Sequence, residues 1–203
     1  MTVFEQAVAA LQPPMEAIGF AKVIHDGVFV GGQHGDFTPS VGMNSAIESE
    51  DAVCAILPIL GVAHRPTLER LAELTGVRGW KTGVVVSLPI GSVMPEEPFA
   101  RWKFNDGNLA GQARSLTEAV ESYGVPWMGR MADLDAMRLE LDDGASHHVE
   151  YKLPVVLDLL GRTDEARTHV EAQLIRLADA THLKAQQHRA FAERFLRELE
   201  DGQ

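Results

Sequence analysis

The pattern of apolar positions begins with an amphipathic helix. Six apolar residues recur at the spacing of one helical face: Val3, Phe4, Ala7, Leu11, Met15 and Ile18. Pro13 and Pro14 lie inside this pattern, and proline lacks the backbone donor of a helix interior, so we expect a kink or a division near Gln12. Gly19 follows the last apolar position and is expected to end the helix.

A β-meander is predicted after this helix. Asp26-Gly27 lies between the runs AKVIH and VFVGG, and Asp-Gly favours a two-residue hairpin turn because both turn positions need positive φ. The resulting register would form two cross-strand pairs: Ile24 with Phe29, and Val23 with Val30. A second turn is expected over residues 33–36, and a third strand within residues 37–47.

The same stretch argues against a metal or phosphate site. His25 and His34 would be separated by about five strand residues at about 3.3 Å each, too far to share a zinc ion with bonds of about 2.0–2.3 Å. GVFVGGQHG matches neither the dinucleotide nor the P-loop glycine spacing. A one-sided site that uses His34 and Asp36 stays open.

The rest of the first half continues the sheet. Residues 52–64 are rich in Val, Ile and Leu around Pro58, which favours a strand over a helix capped by residues 49–51. Pro66 suits the start of a helix that Gly76 would end. Another strand is expected within residues 81–93, and residues 99–104 alternate between two faces, with Ala100, Trp102 and Phe104 on one of them.

The second half shows helical spacing throughout. We expect a capped helix to start at Ser115 and to break at residues 123–126. Apolar stripes then predict helices around Leu134 to Leu141, Val155 to Leu160, Ala166 to Leu177 and Phe191 to Leu199, with Thr163 as a cap. Strands followed by helices indicate the α+β class. The prediction is one domain of residues 1–203, strand-rich over 1–106 and helical over 107–203. An antiparallel sheet of about five or six strands would pack against the N-terminal helix and the C-terminal helical region.

Two resemblances accompany this pattern. LLGRTDEARTHVEAQL (residues 159–174) resembles the turn and second helix of a tetratricopeptide unit, which implies an αα-hairpin, and no second copy follows at the period of 34. Four segments together resemble a family of bacterial α+β proteins of unknown function, common in actinobacteria: Gly19-Phe20, residues 61–74, residues 88–104 and residues 122–128. That family implies no catalytic residues, and some similar small acidic domains are immunity proteins encoded beside toxins.

Composition narrows the class of function. The net charge is −11 and no cluster of Lys and Arg occurs, so we do not expect nucleic-acid binding. A secretory leader is not recognisable, no apolar stretch approaches the roughly 20 residues of a membrane helix, and the single cysteine precludes an internal disulfide. We therefore expect a cytoplasmic protein that does not bind membranes.

No catalytic motif stands out in the chain. Cys54 lies in an apolar run and is predicted to be a core residue rather than a nucleophile. His147, His148 and Glu150 could offer metal ligands, but neighbouring histidines on a helix point about 100° apart. The remaining C-terminal histidines stand among polar residues and are predicted to be exposed: His169, His182 and His188. We expect neither metal nor cofactor.

Two functional hypotheses follow. The first is a non-enzymatic protein-interaction domain of the immunity type, because residues 118–171 are rich in acidic side chains; a basic partner would meet Asp142 and Asp143. The second is a small-molecule-binding protein, or an enzyme whose site is built from scattered residues. Trp80, Trp102 and Trp127 could line its pocket, with Arg101 and Arg130 binding an anion.

Overall fold

A computed structural model describes residues 1–23, 27–48, 53–95, 100–144 and 146–201. The chain forms two compact units that alternate along the sequence. Unit 1 contains residues 1–62 and 87–132, and unit 2 contains residues 63–86 and 133–203. Within the described residues, no helix is long and apolar enough to cross a membrane.

Unit 1 is built around an antiparallel sheet, which confirms the predicted α+β class. Its strands are β1 (Phe20–Val23), β2 (Val28–Gly31), β3 (Phe37–Glu48), β4 (Val53–His64), β5 (Val86–Pro89) and β6 (Trp102–Phe104). They follow the order β1-β2-β3-β4-β5, and β6 also pairs with β4. The long strand over residues 53–64 confirms the preference for a strand there, and burial of Cys54 confirms it as a core residue.

The helices of unit 1 are α1 (Val3–Ala17), α3 (Leu109–Ala119) and α4 (Val125–Arg130). Helix α1 packs against α3, β1 and β6. A capping box fixes its start: Glu5 N–H donates to Thr2 Oγ1 at 3.2 Å, and Thr2 N–H donates to Glu5 Oε2 at 2.7 Å. The helix runs through Pro13 and Pro14 without division, and Gly19 follows its end at φ +87°.

Unit 2 is helical. A 3₁₀ turn (Arg78–Thr82) follows α2 (Arg65–Thr75), and four helices come later: α5 (Leu134–Asp142), α6 (Val149–Leu159), α7 (Thr163–Arg176) and α8 (Leu183–Asp201). Helix α2 contacts the 3₁₀ turn, α6 and α8, and α7 contacts α6 and α8. Gly76 ends α2 at φ +71°, as predicted, and α6 with α7 forms the predicted αα-hairpin.

The hairpin register is the first correction. Val23 pairs with Val28 and not with Val30, so the register differs by two residues from the predicted one; the predicted turn position Asp26 lies outside the described residues. The predicted pair of Ile24 with Phe29 lies outside the described residues, and Phe29 pairs with Lys22. Gly27 has the expected positive φ of +61°. The positive φ at Gly27 was therefore predicted correctly, whereas the pairing register was not.

Three helix boundaries also differ. Ser115 lies inside α3, which begins at Leu109. Residues 123–126 do not break the chain's helical path, because a π-helical turn (Val120–Gly124) joins α3 to α4 and accommodates Pro126 near the start of α4. Thr163 does not cap α7: its hydroxyl donates to Asp158 Oδ1 at 3.3 Å instead. The strand expected within residues 81–93 is limited to β5.

Candidate functional site

Unit 2 contains a cavity of about 480 Å³ whose walls are largely aromatic. Trp80, Tyr151 and Phe191 form these walls, and we call the cavity the aromatic pocket. His148 and Arg194 add polar groups at its edge. Ligand pockets typically span about 300–1,000 Å³ and combine apolar walls with a few polar groups, so both size and lining fit a small organic molecule.

The aromatic rings contact one another at an angle. The ring centroids of Tyr151 and Phe191 are 5.0 Å apart with planes at 61°, and those of Trp80 and Tyr151 are 6.1 Å apart at 48°. The Tyr151–Phe191 pair is edge-to-face, which is favourable for aromatic quadrupoles, and the Trp80–Tyr151 pair is tilted. These contacts between neighbouring rings favour the arrangement of the pocket walls.

Three separate segments position the lining. The 3₁₀ turn after Gly76 carries Trp80, the first turn of α6 carries Tyr151, and α8 carries Phe191 and Arg194. The α8 contribution follows from helix geometry, because residues three or four apart share one face. Residues 187, 190, 191 and 194 all line the pocket on that face.

His148 has a strained backbone at the pocket edge. Its φ of +60° and ψ of +36° are left-handed, and among the described residues no other non-glycine residue has a positive φ. This conformation costs on the order of 1–3 kcal/mol and is concentrated at functional sites. The strain places the His148 ring 5.6 Å from Trp80, and its Nδ1 lies 3.8 Å from Glu150 Oε1.

Arg194 is anchored to the end of α2. Its Nη1 donates to the carbonyl oxygens of Glu73 at 2.8 Å and of Leu74 at 3.0 Å. Arginine carries five N–H donors in a rigid plane, so fixing Nη1 orients the whole guanidinium group. The side chain therefore lines the aromatic pocket in a defined orientation.

His188 lies behind the aromatic walls and corrects an expectation. The sequence predicted exposure, but the residue is only 2% exposed, with ring centroids 5.2 Å from Tyr151 and 5.8 Å from Phe191. Its Nε2 donates to the Glu150 carbonyl at 3.4 Å, while the buried Nδ1 has no partner among the described residues. Burial lowers the pKa of His188, so the neutral ring is favoured.

Burial also favours the neutral form of two other ionisable groups in unit 2, Tyr151 and His169. Burial raises the pKa of the Tyr151 phenol, and the charge of Glu150 adds to that effect, so the hydroxyl stays protonated at neutral pH. Burial lowers the pKa of His169, which is half-buried rather than exposed as predicted. His182 is exposed, as expected.

A second cavity in unit 2, of about 410 Å³, has a charged lining in which Arg138, Asp142 and Glu165 form ion pairs. Arg138 contacts Asp135 at 2.9 Å and Asp142 at 3.4 Å, and Arg162 contacts Glu165 at 2.6 Å. A third cavity lies in unit 1, holds about 100 Å³ and has mostly apolar walls, with His34 at its edge. The aromatic pocket is the better candidate because of its size and rigid walls.

The predicted ligand residues lie elsewhere. Trp102 is buried and donates from Nε1 to Ser115 Oγ at 3.2 Å, and Trp127 is also buried in unit 1. Arg101 is exposed, and so is Arg130, which bonds the Pro126 carbonyl at 3.5 Å. None of these four lines any of the three cavities above. Of the three tryptophans considered, Trp80 is the one that lines a pocket.

The predicted partner residues lie at the end of α5. Asp142 is exposed, pairs with Arg138 and lines the second cavity, and Asp143 follows as the helix C-cap. His148 and Glu150 approach each other, but no group of three metal-ligating side chains occurs in the described parts of the chain.

Comparison with protein-family models, with curated proteins and with solved structures finds no significant match to this chain.

Proposed function

We propose that this protein binds a small molecule with a planar ring in the aromatic pocket of unit 2. The observation that carries the proposal is the cavity of about 480 Å³ with three fixed aromatic walls and polar groups at its edge. A planar ring would replace water against these walls, and each aromatic contact would contribute about 0.5–1.5 kcal/mol beyond burial of its area.

The lining supports binding rather than catalysis. Among the described lining residues, Tyr151 is held protonated by its raised pKa, and Arg194 is a permanent cation. Burial lowers the pKa of both His188 and His169, but His188 lies behind the rings and His169 lines the second cavity, so neither lines the aromatic pocket. The lining also includes His148, but the Thr75 hydroxyl donates to the Leu71 carbonyl and not to a base. The described groups therefore orient a ligand, whereas nucleophilic chemistry needs a nucleophile in contact with a base.

Nuclear magnetic resonance of the indole N–H groups tests the proposal directly. The chain has three tryptophans, and substitution of Trp80 by Phe assigns its signal. Titration with quinoline, a planar bicyclic probe, should shift the Trp80 signal and leave the buried Trp102 and Trp127 signals unchanged. Equal shifts of all three signals, or no shift at millimolar quinoline, would contradict the proposal.

The two tyrosines provide a matched control. Tyr151→Leu removes one wall of the pocket, while Tyr123→Leu alters a partly exposed residue of unit 1. We expect the first change to weaken quinoline binding about tenfold, equivalent to about 1.4 kcal/mol, and the second to have no effect.

A second candidate function is the acidic interaction surface predicted from the sequence. Helix α5 places the exposed carboxylate of Asp142 on the same helix as Leu139, an apolar residue that is 54% exposed, and Asp143 follows at its end. A basic protein partner, as for an immunity-type inhibitor, would suit this combination. The test is association kinetics against salt with Asp142→Asn and Asp143→Asn, which should slow binding at low salt. An association rate that ignores both salt and these substitutions would contradict the second candidate.

A further inference from the structure

We infer that the ligand of the aromatic pocket carries an anionic group, a carboxylate or a phosphate, that binds Arg194. This inference rests on the proposed function and adds the charge of the ligand to it. It depends on the anchored guanidinium group of Arg194, on two cations of the 3₁₀ turn that carries Trp80, and on the ion pairs of two carboxylates near the pocket lining.

The hydrogen bonds of Arg194 leave part of its donor set available. Nη1 uses its two hydrogens on the carbonyls of Glu73 and Leu74. Among the described residues, no acceptor bonds Nε or Nη2. These remaining N–H groups lie in one plane, the geometry that binds a carboxylate or phosphate through two parallel hydrogen bonds. Two backbone carbonyls therefore preorganise the group before any anion arrives.

The 3₁₀ turn that carries Trp80 is basic although the chain is acidic. Arg78 and Lys81 are exposed on the 3₁₀ turn that carries Trp80, and neither forms an ion pair within the described parts of the chain. The net charge of the whole chain is −11. Arg78 and Lys81 do not line the pocket, so they would act on an anion beside Trp80 through their electrostatic field and not by contact.

Two carboxylates on residues next to the pocket lining are engaged by other groups. Glu73 Oε2 lies 3.9 Å from Arg70 Nη1, and Glu150 Oε1 lies 3.8 Å from His148 Nδ1. Neither forms an ion pair with Arg194 among the described residues. The occupant that fits is therefore a planar ring against Trp80 and Tyr151, with its anionic substituent directed to Arg194.

Two pairs of probes distinguish the contribution of the planar ring to binding from that of the anionic group. Indole-3-acetate and its neutral analogue indole-3-acetamide test a carboxylate, and adenosine monophosphate with adenosine tests a phosphate. Binding is followed through the Trp80 indole N–H signal. In at least one pair we expect the anion to bind about tenfold more tightly than its neutral analogue, because hydrogen bonds to a charged group are about twice as strong as neutral ones. The pair that shows this preference identifies the class of anion.

Arg194→Gln should abolish that preference, and Arg189 supplies the matched control. Arg189 also lies on α8 and also bonds two carbonyls, those of Leu177 at 2.7 Å and Ala180 at 2.6 Å, but it does not line the pocket. Arg189→Gln removes a comparable set of anchoring bonds and should retain the preference for the anion. The difference between the two variants separates ligand binding from structural support.

The outcomes distinguish this inference from the proposed function. Equal binding of anionic and neutral probes, unchanged by Arg194→Gln, would overturn the inference and leave the pocket as a neutral-ligand site. No binding of any planar probe would overturn both. If Arg194→Gln does not fold, the double change Arg78→Gln with Lys81→Gln alters exposed side chains only. It should weaken the anion about threefold at low salt, with the difference lost at high salt, and an unchanged affinity would count against the inference.

Discussion

The two units use aromatic side chains in opposite ways. In unit 1, Trp102 and Trp127 are buried, and the one polar atom of Trp102 bonds Ser115. In unit 2, Trp80 and Tyr151 form the walls of an open cavity beside a strained His148. A buried ring stabilises the fold through contacts with its neighbours on all sides. A ring at a cavity has one face without such protein contacts, and a ligand can pack against that face. The comparison teaches that the surroundings of an aromatic residue, and not its type, indicate function.

The largest effect should follow from breaking the core of unit 1. Phe104 is fully buried, so Phe104→Ala should lower the free energy of unfolding by about 3–5 kcal/mol. Trp80→Leu changes a half-buried cavity wall and should cost only about 1 kcal/mol while it abolishes ligand binding. Denaturant unfolding measures stability, and titration calorimetry with quinoline measures binding, because Trp80→Leu lacks the indole signal. A greater loss of stability for Trp80→Leu than for Phe104→Ala would show that Trp80 serves mainly the fold and contradict its role in binding.

Lys152 should give the next largest effect. It is 4% exposed, and burial lowers its pKa from 10.5 to about 8. Between these values the unfolded chain binds more protons, so the free energy of unfolding should rise as pH increases from about 8 to 10.5. Lys152→Met should stabilise the protein at pH 7 by at most about 3 kcal/mol and flatten this rise.

An exposed lysine provides the control for that measurement. Lys184 is exposed on α8, so Lys184→Met should change neither the stability at pH 7 nor the slope above pH 8. The prediction would be contradicted if the free energy of unfolding of the wild type did not rise above pH 8, or if the rise persisted in Lys152→Met. The buried amine would then not oppose folding.

His188 should produce a smaller effect on the acid side. Its pKa lies below the ordinary histidine value of 6.5 in the folded chain, so the unfolded chain binds a proton first as pH falls. The free energy of unfolding should therefore decrease as pH is lowered through 6.5, down to the folded pKa. His188→Leu should reduce this decrease, while His147→Leu, at an exposed position, should preserve it. Identical acid profiles for all three proteins would exclude a contribution from His188.

The smallest effect concerns the strain at His148. Glycine adopts positive φ without the Cβ penalty, so His148→Gly should raise the free energy of unfolding by about 1 kcal/mol or less, offset partly by lost ring contacts. The same change should weaken quinoline binding. Thermal unfolding measures the change in stability, and the quinoline titration measures the change in affinity. A loss of stability in His148→Gly would show that the ring contacts outweigh the strain.

The sequence predicted much of the fold because its signals were local. Gly19, Gly76 and Gly161 end or follow helices at positive φ, and the apolar run over residues 53–64 forms a long strand. The hairpin register was wrong because turn residues report local φ, while pairing depends on packing along both whole strands. Burial of Phe29 against the rest of unit 1 is part of that packing and is not visible in a dipeptide.

The site was less predictable, although one signal was present. His188 stands three and seven positions before Phe191 and Phe195, which is the spacing of the buried face of α8, so its burial followed from periodicity. The polar residues next to His188 in the sequence led instead to the prediction that it is exposed. The pocket itself joins residues 74–80, 148–151 and 187–194, and a single sequence does not show which distant segments meet.

The alternation of the two units has a consequence for synthesis of the chain. Helix α2 and Trp80 are made roughly a hundred residues before Arg194, a delay of about 5 to 20 s at ordinary translation rates. During that interval the apolar side of α2, which includes Leu68, Leu71 and Leu74, has no α8 to contact. Nascent chains therefore expose the apolar side of α2 until α8 has been synthesised. Chains that stop before residue 183 should aggregate or bind chaperones.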